Sequence, residues 1–285
     1  MIRSSILIAE DLSAVGRLAA TAALAILSAF GSQAATLPTE SLSTRTEGFS
    51  RPNTLTTDGF LRRATGHWNG LDDLIFKSAI VGYVGKSSTA DLLYDYCSKS
   101  NLTTLLIDPV LGDRGQMYEG FDDAYLASIK HLVEIATLMT PNITELSLLS
   151  GEKLASDADD DRLVHAIKKC QEKTQSKARV IVTGVLRDEG IGCVYMRDGQ
   201  LKWVGSKWLH GHFYGTGDVF SALLIGYLNL NLDFDMAIQK SIDGVYEAVR
   251  LTSKAPAIQH KFGLNLTKTL YDVAKFTLGQ AGEEV

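Results

Sequence analysis

Ile6-Leu7-Ile8-Ala9, a Ser- and Gly-containing turn over Ser13 to Gly16, and the Ala- and Leu-rich run from Leu18 to Phe30 decide the fold class. A short apolar run ahead of a turn reads as a buried strand, and the longer run behind it reads as a helix, which is the order of a βα unit. The helical run also imitates the apolar core of an export signal, because Ser32-Gln33-Ala34 offers small residues after it. Glu10 and Asp11 stand directly before it where a basic flank is required, and the run is too short to span a bilayer. It is therefore expected to be a buried helix.

Working outward, the same alternation continues. Ala34 to Pro38 is a second strand candidate, and Thr39 to Arg51, rich in Ser and Thr, is expected to form a polar strand pair or a mobile flap. Ile75 to Val81 leads into Gly82-Tyr83-Val84-Gly85 and a helix from Ser87, while Thr103 to Ile107 ends at Asp108-Pro109. Leu126 to Met139 is helical in composition, and Thr140-Pro141-Asn142 separates it from a shorter helix over Glu145 to Leu149. Val180 to Thr183 is a β-branched strand expected to end at Gly184, and Gly192 to Met196 with Leu201 to Val204 reads as a hairpin around Asp198-Gly199. Helices are expected over Val219 to Leu228 and Met236 to Leu251, and a polar tail over Gly279 to Val285.

The 285 residues include 28 Lys plus Arg against 33 Asp plus Glu, a net charge of −5, and 45% are hydrophobic. That composition supports a globular core and excludes a disordered or cationic nucleic-acid-binding chain. Cys97, Cys170 and Cys193 lack Cys-x-x-Cys spacing, which fits reduced thiols and a cytoplasmic protein. No membrane partner is expected.

The chemistry gathers in loops at strand and helix ends. Gly215-Thr216-Gly217-Asp218 runs directly into an apolar helix, so backbone donors face an anion at a helix start. Asp218 can accept a proton from an alcohol, which suits phosphoryl transfer, or can serve as a helix cap. Asp108 and Asp113 lie on one short loop, and Glu145 follows Asn142 by three residues. These carboxylates can hold hydrated Mg²⁺ against phosphate oxygens or simply cap a solvated loop. Thr183 and Gly184 stand at a strand end where hydroxyl and amide can meet phosphate. Ser13, Ser43, Thr44 and Thr46 can enclose a small polar substrate, and Tyr83 can stack on an aromatic one or pack on a neighbouring strand. His210 and His212 lack the further ligands that zinc requires.

Taken in order, Asp11-Leu12-Ser13, Leu42-Ser43-Thr44, Gly82-Tyr83-Val84-Gly85, Asp108-Pro109-Val110-Leu111-Gly112-Asp113, Thr140-Pro141-Asn142-Ile143-Thr144-Glu145 and Gly215-Thr216-Gly217-Asp218 resemble the bacterial pyridoxal/pyridoxamine kinases of the ribokinase-like superfamily. The resemblance covers about Ile6 to Tyr271. It implies a three-layer α/β fold with a central, mostly parallel sheet flanked by helices. The expected organisation is a single kinase domain over residues 1–279, a small lid around 36–52, and a flexible tail over 280–285.

The resemblance also implies the reaction: ATP-dependent phosphorylation of the 5′-hydroxyl of pyridoxal, pyridoxamine or pyridoxine, by a homodimer. Asp218 then matches the base, and Gly215, Thr216 and Gly217 match the anion hole. Asp108, Asp113, Asn142, Glu145, Thr183 and Gly184 match the nucleotide side, with Asp108 and Glu145 as the Mg²⁺ residues, partly through water, and a monovalent cation as a further cofactor. Ser13, Ser43, Thr44 and Tyr83 match the substrate side. Hydroxymethylpyrimidine kinase is the nearest alternative, since its substrate also presents a hydroxymethyl group on a planar ring. A catalytically weak vitamer-binding protein is the alternative from another class.

Overall fold

The computed structural model describes residues 5–155, 157–188 and 190–282. The chain divides into two compact units, residues 1–80 with 209–285 and residues 81–208. Each carries strands and helices, so the class is α/β.

The first unit opens with β1 (Ser5–Ala9) and β2 (Leu12–Ser13), followed by α1 (Ala19–Ala29) and β3 (Ala34–Thr36). The expected βα unit is thus present, and β1 pairs with β3 in parallel. Six residues of α1, including Ile26 and Leu27, are buried, as expected for the apolar run that imitates a leader. Among the described residues no helix is long and apolar enough to cross a membrane.

β4 (Glu40–Leu42) and β5 (Thr54–Thr56) follow. β4 lies parallel to β2 and antiparallel to β5, so the polar segment folds as a small sheet of its own. The sequence reading did not anticipate α2 (Asp58–Trp68), which buries Leu61 and Thr65. β6 (Phe76–Val81) follows it, and the order of the larger sheet within this unit is β6-β1-β3.

The second unit contains α3 (Ser87–Lys99), β7 (Thr104–Ile107), the small pair β8 (Gly112–Asp113) and β9 (Gln116–Met117), and α4 (Asp123–Val133). Here the expected helix over Leu126 to Met139 is corrected. α4 stops at Val133, and Leu138–Met139 forms β10, parallel to β7. The Thr137 amide donates to the Leu105 carbonyl (3.0 Å), which starts the pairing, and both strand residues are buried. A strand covered on both faces shows no alternation, so its apolar pair blends into the helical composition before it.

α5 (Ile143–Ser150) and α6 (Asp160–Glu172) lead to β11 (Arg179–Arg187), β12 (Gly190–Arg197) and β13 (Gln200–Lys207). The sheet order in this unit is β13-β12-β11-β10-β7. β11 does not end at Gly184 as expected. It continues through a bulge between Val182 and Val185, where Gly184 takes φ +70°, the left-handed geometry that lets a strand absorb an extra residue. The β12–β13 turn is as expected: Asp198 and Gly199 have φ of 51° and 79°, the two left-handed positions of a tight hairpin turn.

The chain re-enters the first unit with α7 (Thr216–Asn229), α8 (Phe234–Thr252), a 3₁₀ turn over Ala257–Phe262, and α9 (Thr267–Gly282). Every residue of α7 from Val219 to Tyr227 is buried, which explains why its sequence is apolar all round instead of striped. α7 packs against α1, where a Cβ on Gly226 would come within 2.2 Å of the Phe30 ring. Residues 280–282, expected to be tail, continue α9, and 283–285 lie outside the described residues.

Candidate active site

In the first unit the site is built on the N-terminus of α7. Gly215 is the residue before the helix and adopts a left-handed conformation, φ +84°, with no side chain capping the amides that follow. The first amides of a helix have no carbonyl partner within it, so Thr216 and Gly217 present donors where the helix dipole favours an anion. A Cβ at Gly215 would stand 2.8 Å from Leu18 Cδ2 and 3.4 Å from Asp218 Oδ2. Glycine is required there both by the dihedral and by the space.

Asp218 sits in the first turn of α7, and its carboxylate meets its own amide there as well as a second helix. Its Oδ2 accepts the amide of Ala19 at 2.7 Å, the first residue of α1. Part of the residue remains open to solvent, yet the carboxylate itself is enclosed, and that burial pushes its pKa up. The Ala19 amide and the charge of Arg45 act in the opposite direction. The result is a more basic carboxylate than one in water, held in a fixed orientation by a backbone donor.

Ser13 is buried, and its hydroxyl donates to Asp11 Oδ2 at 3.0 Å. Its observed partner is therefore this carboxylate, which it orients. Asp11 is itself buried and raised to about 7, first by burial and then by the charge of Asp218, with Glu40 adding to the effect. Ser43 Oγ accepts the Asn53 amide at 2.9 Å and so closes the turn between β4 and β5, and Thr44 donates to the Arg45 carbonyl at 3.2 Å. Asp11, Glu40, Arg45 and Tyr214 join this site without having been given roles from sequence. Arg45 was visible only as a lone cation in the run Ser43-Thr44-Arg45-Thr46.

In the second unit, four of the expected nucleotide-side residues surround the loop after β7. Asn142 caps α5, its side chain accepting the Glu145 amide at 3.0 Å, while Glu145 Oε2 accepts the Asn142 amide at 2.9 Å. This reciprocal pair is a capping box. Glu145 Oε1 accepts the Leu111 amide at 3.0 Å, and Asn142 Nδ2 donates to the Gly112 carbonyl at 2.8 Å. The direct partners of Glu145 are thus backbone amides, and its first role is to hold the 111–112 loop. Burial raises its pKa to about 7 against the lowering effect of those amides, and the nearby charge of Asp113 adds to the rise.

Asp108 is half-buried, with its amide donating to the Val81 carbonyl at 2.8 Å, and Asp113 is exposed. Thr183 pairs with Asn142 through an isolated parallel bridge, its amide donating to the Pro141 carbonyl at 2.9 Å, and Gly184 follows it on the exposed side of the bulge. Tyr83 is half-buried and borders an aromatic group, 6.0 Å from Phe121, which stacks on Tyr125 at 3.9 Å. Among the described residues no group of three or more His, Cys, Asp and Glu side chains forms a metal cage. Isolated carboxylates of this kind fit a hydrated Mg²⁺ whose other ligands are water and phosphate.

The sequence matches the phosphomethylpyrimidine kinase family model over residues 22–264. A pyridoxal kinase from Arabidopsis thaliana is 27% identical over 201 residues, 64% of this chain, and the match spans 60% of that relative's length. The crystal structure of a pyridoxal kinase from Lactobacillus plantarum superposes with a TM-score of 0.91 at 32% identity, covering 97% of this chain and 98% of that one. A protein from Bacteroides thetaiotaomicron, provisionally named a phosphomethylpyrimidine kinase and crystallised in an orthorhombic form with pyridoxal, gives a TM-score of 0.86 at 27% identity, covering 95% of each chain.

Proposed function

This chain belongs to the pyridoxal and phosphomethylpyrimidine kinase family of the ribokinase-like superfamily, and from that premise we propose that it transfers the γ-phosphoryl group of ATP to the 5′-hydroxyl of pyridoxal, with pyridoxamine and pyridoxine as further acceptors. The observation that carries the reading is the position of Asp218, in the first turn of α7 beside the left-handed Gly215 and anchored by the Ala19 amide at 2.7 Å.

Asp218, made more basic by burial, takes the proton of the acceptor hydroxyl as that oxygen attacks phosphorus. The amides of Thr216 and Gly217 stabilise the negative charge on the phosphoryl oxygens in transit. Asp11, oriented by Ser13, adds a second carboxyl near Asp218, whose charge helps keep Asp11 protonated. On the nucleotide side, the Asn142–Glu145 capping box fixes the loop that carries Asp108 and Asp113, and Thr183 with Gly184 supplies hydroxyl and amide donors. Asp108 and, through water, Glu145 would hold Mg²⁺, which neutralises phosphate charge when bound. A monovalent cation completes the proposed cofactor set.

We also propose a cytoplasmic homodimer. The buried free thiols of Cys97, Cys170 and Cys193 support a reducing compartment, and sedimentation at micromolar concentration tests the dimer. The second reading, hydroxymethylpyrimidine as acceptor, draws its support from relatives named hydroxymethylpyrimidine/phosphomethylpyrimidine kinase. Mass-resolved product formation with MgATP and a matched panel of pyridoxal, pyridoxamine, pyridoxine and hydroxymethylpyrimidine decides between them. Preferential 5′-phosphorylation of a B6 vitamer is expected, and selective phosphorylation of hydroxymethylpyrimidine would overturn the first reading. Vitamer binding without turnover would make the protein a binding module.

A further inference from the structure

Ala19 opens α1 with φ +42°, in the left-handed region that a residue with a Cβ rarely enters. An ordinary helical residue has φ near about −63°, so the Leu18–Ala19 peptide is turned by about 105° (42 + 63) from where a helix start would hold it. The turned amide donates to Asp218 Oδ2 at 2.7 Å, and the next amide, that of Ala20, donates to the Asp11 carbonyl at 3.3 Å. Strain of this kind persists only where the surroundings hold it. Here the Arg17 amide donates to the Phe262 carbonyl and Arg17 Nε to the Leu264 carbonyl, both at 2.9 Å. Gly263, between those two acceptors, pairs with Arg17 in an isolated bridge so close that a Cβ on it would stand 2.3 Å from the Arg17 carbonyl oxygen. On the other side the Leu18 amide donates to Thr21 Oγ1 at 3.1 Å, and the Leu18 side chain lies against Gly215.

We infer that Ala19 is a positioning residue: its turned amide, clamped through Arg17 by residues 262–264, fixes the Asp218 carboxylate in the orientation that receives the acceptor proton. The inference rests on the reading of Asp218 as the base. A carboxylate in the first turn of a helix can rotate about two side-chain bonds. A donor on another segment, itself held at both ends, removes that freedom before any substrate arrives. Because an N–H donor prefers the ionised carboxylate, the same bond favours the form that acts as a base. The left-handed conformation of Ala19 is thus the local cost of aiming one amide out of α1 and at α7.

The test takes away that N–H alone. Wild type is compared with Ala19→lactate, in which an ester replaces the amide, with Ala19→Gly, which keeps the N–H and suits a left-handed backbone, and with Arg17→Met, which removes the Nε donor. On each, kcat and KM for pyridoxal in MgATP and thermal unfolding are measured. The Asp218 carboxyl is titrated by isotope-edited infrared spectroscopy, with Asp218→Asn as the blank. Asp218 is coupled by charge to Arg45 and Asp11, both unchanged in all three variants, so the titration is read as a difference. In Ala19→lactate kcat is expected to fall about 10- to 100-fold with KM within about 3-fold of wild type, and the titration to move upward. Arg17→Met is expected to move both readings the same way by less. Ala19→Gly is expected to unfold at a higher temperature and to lose much less kcat than the ester. Wild-type kcat and titration in Ala19→lactate would overturn the inference, as would an equal loss of kcat in Ala19→Gly, which would assign the effect to the methyl group. If the ester does not fold, Arg17→Met decides by the same two readings. A wild type that phosphorylates no acceptor would defeat the proposed function, while the titration still decides whether the Ala19 amide holds Asp218.

Discussion

Replacing Gly215 by alanine adds one methyl group where the backbone dihedral and the Leu18 side chain both oppose it. The residue sits at φ +84°, and an L-residue in that region costs about 1–2 kcal/mol relative to glycine. The new Cβ would stand 2.8 Å from Leu18 Cδ2, a distance real Cβ contacts do not show, and 3.4 Å from Asp218 Oδ2. Crowding of this kind costs about 1–3 kcal/mol, at the lower end when the obstacle is the tip of a side chain that can turn. The total expected loss is therefore about 2–3 kcal/mol. Gly199→Ala separates the two contributions: Gly199 has φ +79° with nothing within 4 Å of its would-be Cβ, so it carries the dihedral cost alone. The effect on activity comes through Asp218, whose Oδ2 is tied to the Ala19 amide at 2.7 Å and touches the new Cβ at 3.4 Å, so a backbone shift that relieves Leu18 carries it along. Displacement of a reacting group by a fraction of an ångström is expected to lower kcat about 10-fold or more. Urea unfolding and product formation, run on both variants, provide the assay. If Gly215→Ala matches Gly199→Ala in unfolding midpoint and in kcat, the close approach at Gly215 has no consequence and the reasoning is refuted.

Asp218→Asn keeps an acceptor for the Ala19 amide but removes the base, so product formation is expected to fall about 10²- to 10⁴-fold while thermal unfolding hardly moves; turnover near the wild-type rate would contradict the assignment. Glu145→Gln leaves one acceptor oxygen for two amides and turns an NH₂ toward either Leu111 or Asn142. A loss of about 1–3 kcal/mol together with weaker ATP binding is expected by denaturant unfolding and calorimetry, and a variant as stable as the wild type would argue against the loop-holding role. Asp11 has a folded pKa of about 7 against an ordinary 3.8, chiefly through burial and then through the Asp218 charge. Because the folded value is the higher one, its contribution is fully present below about pH 4 and is lost as pH rises through about 7, by up to about 4 kcal/mol. Asp11→Asn should flatten the decline in stability between about pH 4 and 7, leaving the part that Glu145 contributes up to the same pH; an unchanged decline would show that Asp11 is not strained by burial.

What could be read from sequence was whatever a local rule encloses. The βα opening, the Asp198-Gly199 turn and the helix after Gly217 each state their geometry within a few residues, through an apolar run, a pair of left-handed positions or a glycine at a helix start. The two-residue strand Leu138–Met139 was not readable, because what makes it a strand is the pairing with Thr104–Ile107 and Arg179–Arg187, supplied by distant segments. Gly184 reads as a strand end because glycine marks both an end and a bulge, and only the register of the neighbouring strand distinguishes them. The site divides along the same line. Asn142 and Glu145 satisfy each other three residues apart, so their pairing is local even though their hold on Leu111 and Gly112 is not. Arg45 is the opposite case. Its neighbours in sequence are hydroxyl residues that suggest a solvated turn, and its character comes from Tyr214, 169 positions away (214 − 45), whose ring centroid lies 3.5 Å from its guanidinium carbon, and from the burial of Nη1. A charge acquires a functional meaning from what encloses it, and enclosure is a property of the fold. For that reason the shared phosphate-handling chemistry of this family can be recognised in the loop motifs, whereas the contact of Arg45 with the Tyr214 ring cannot be recognised from its sequence context.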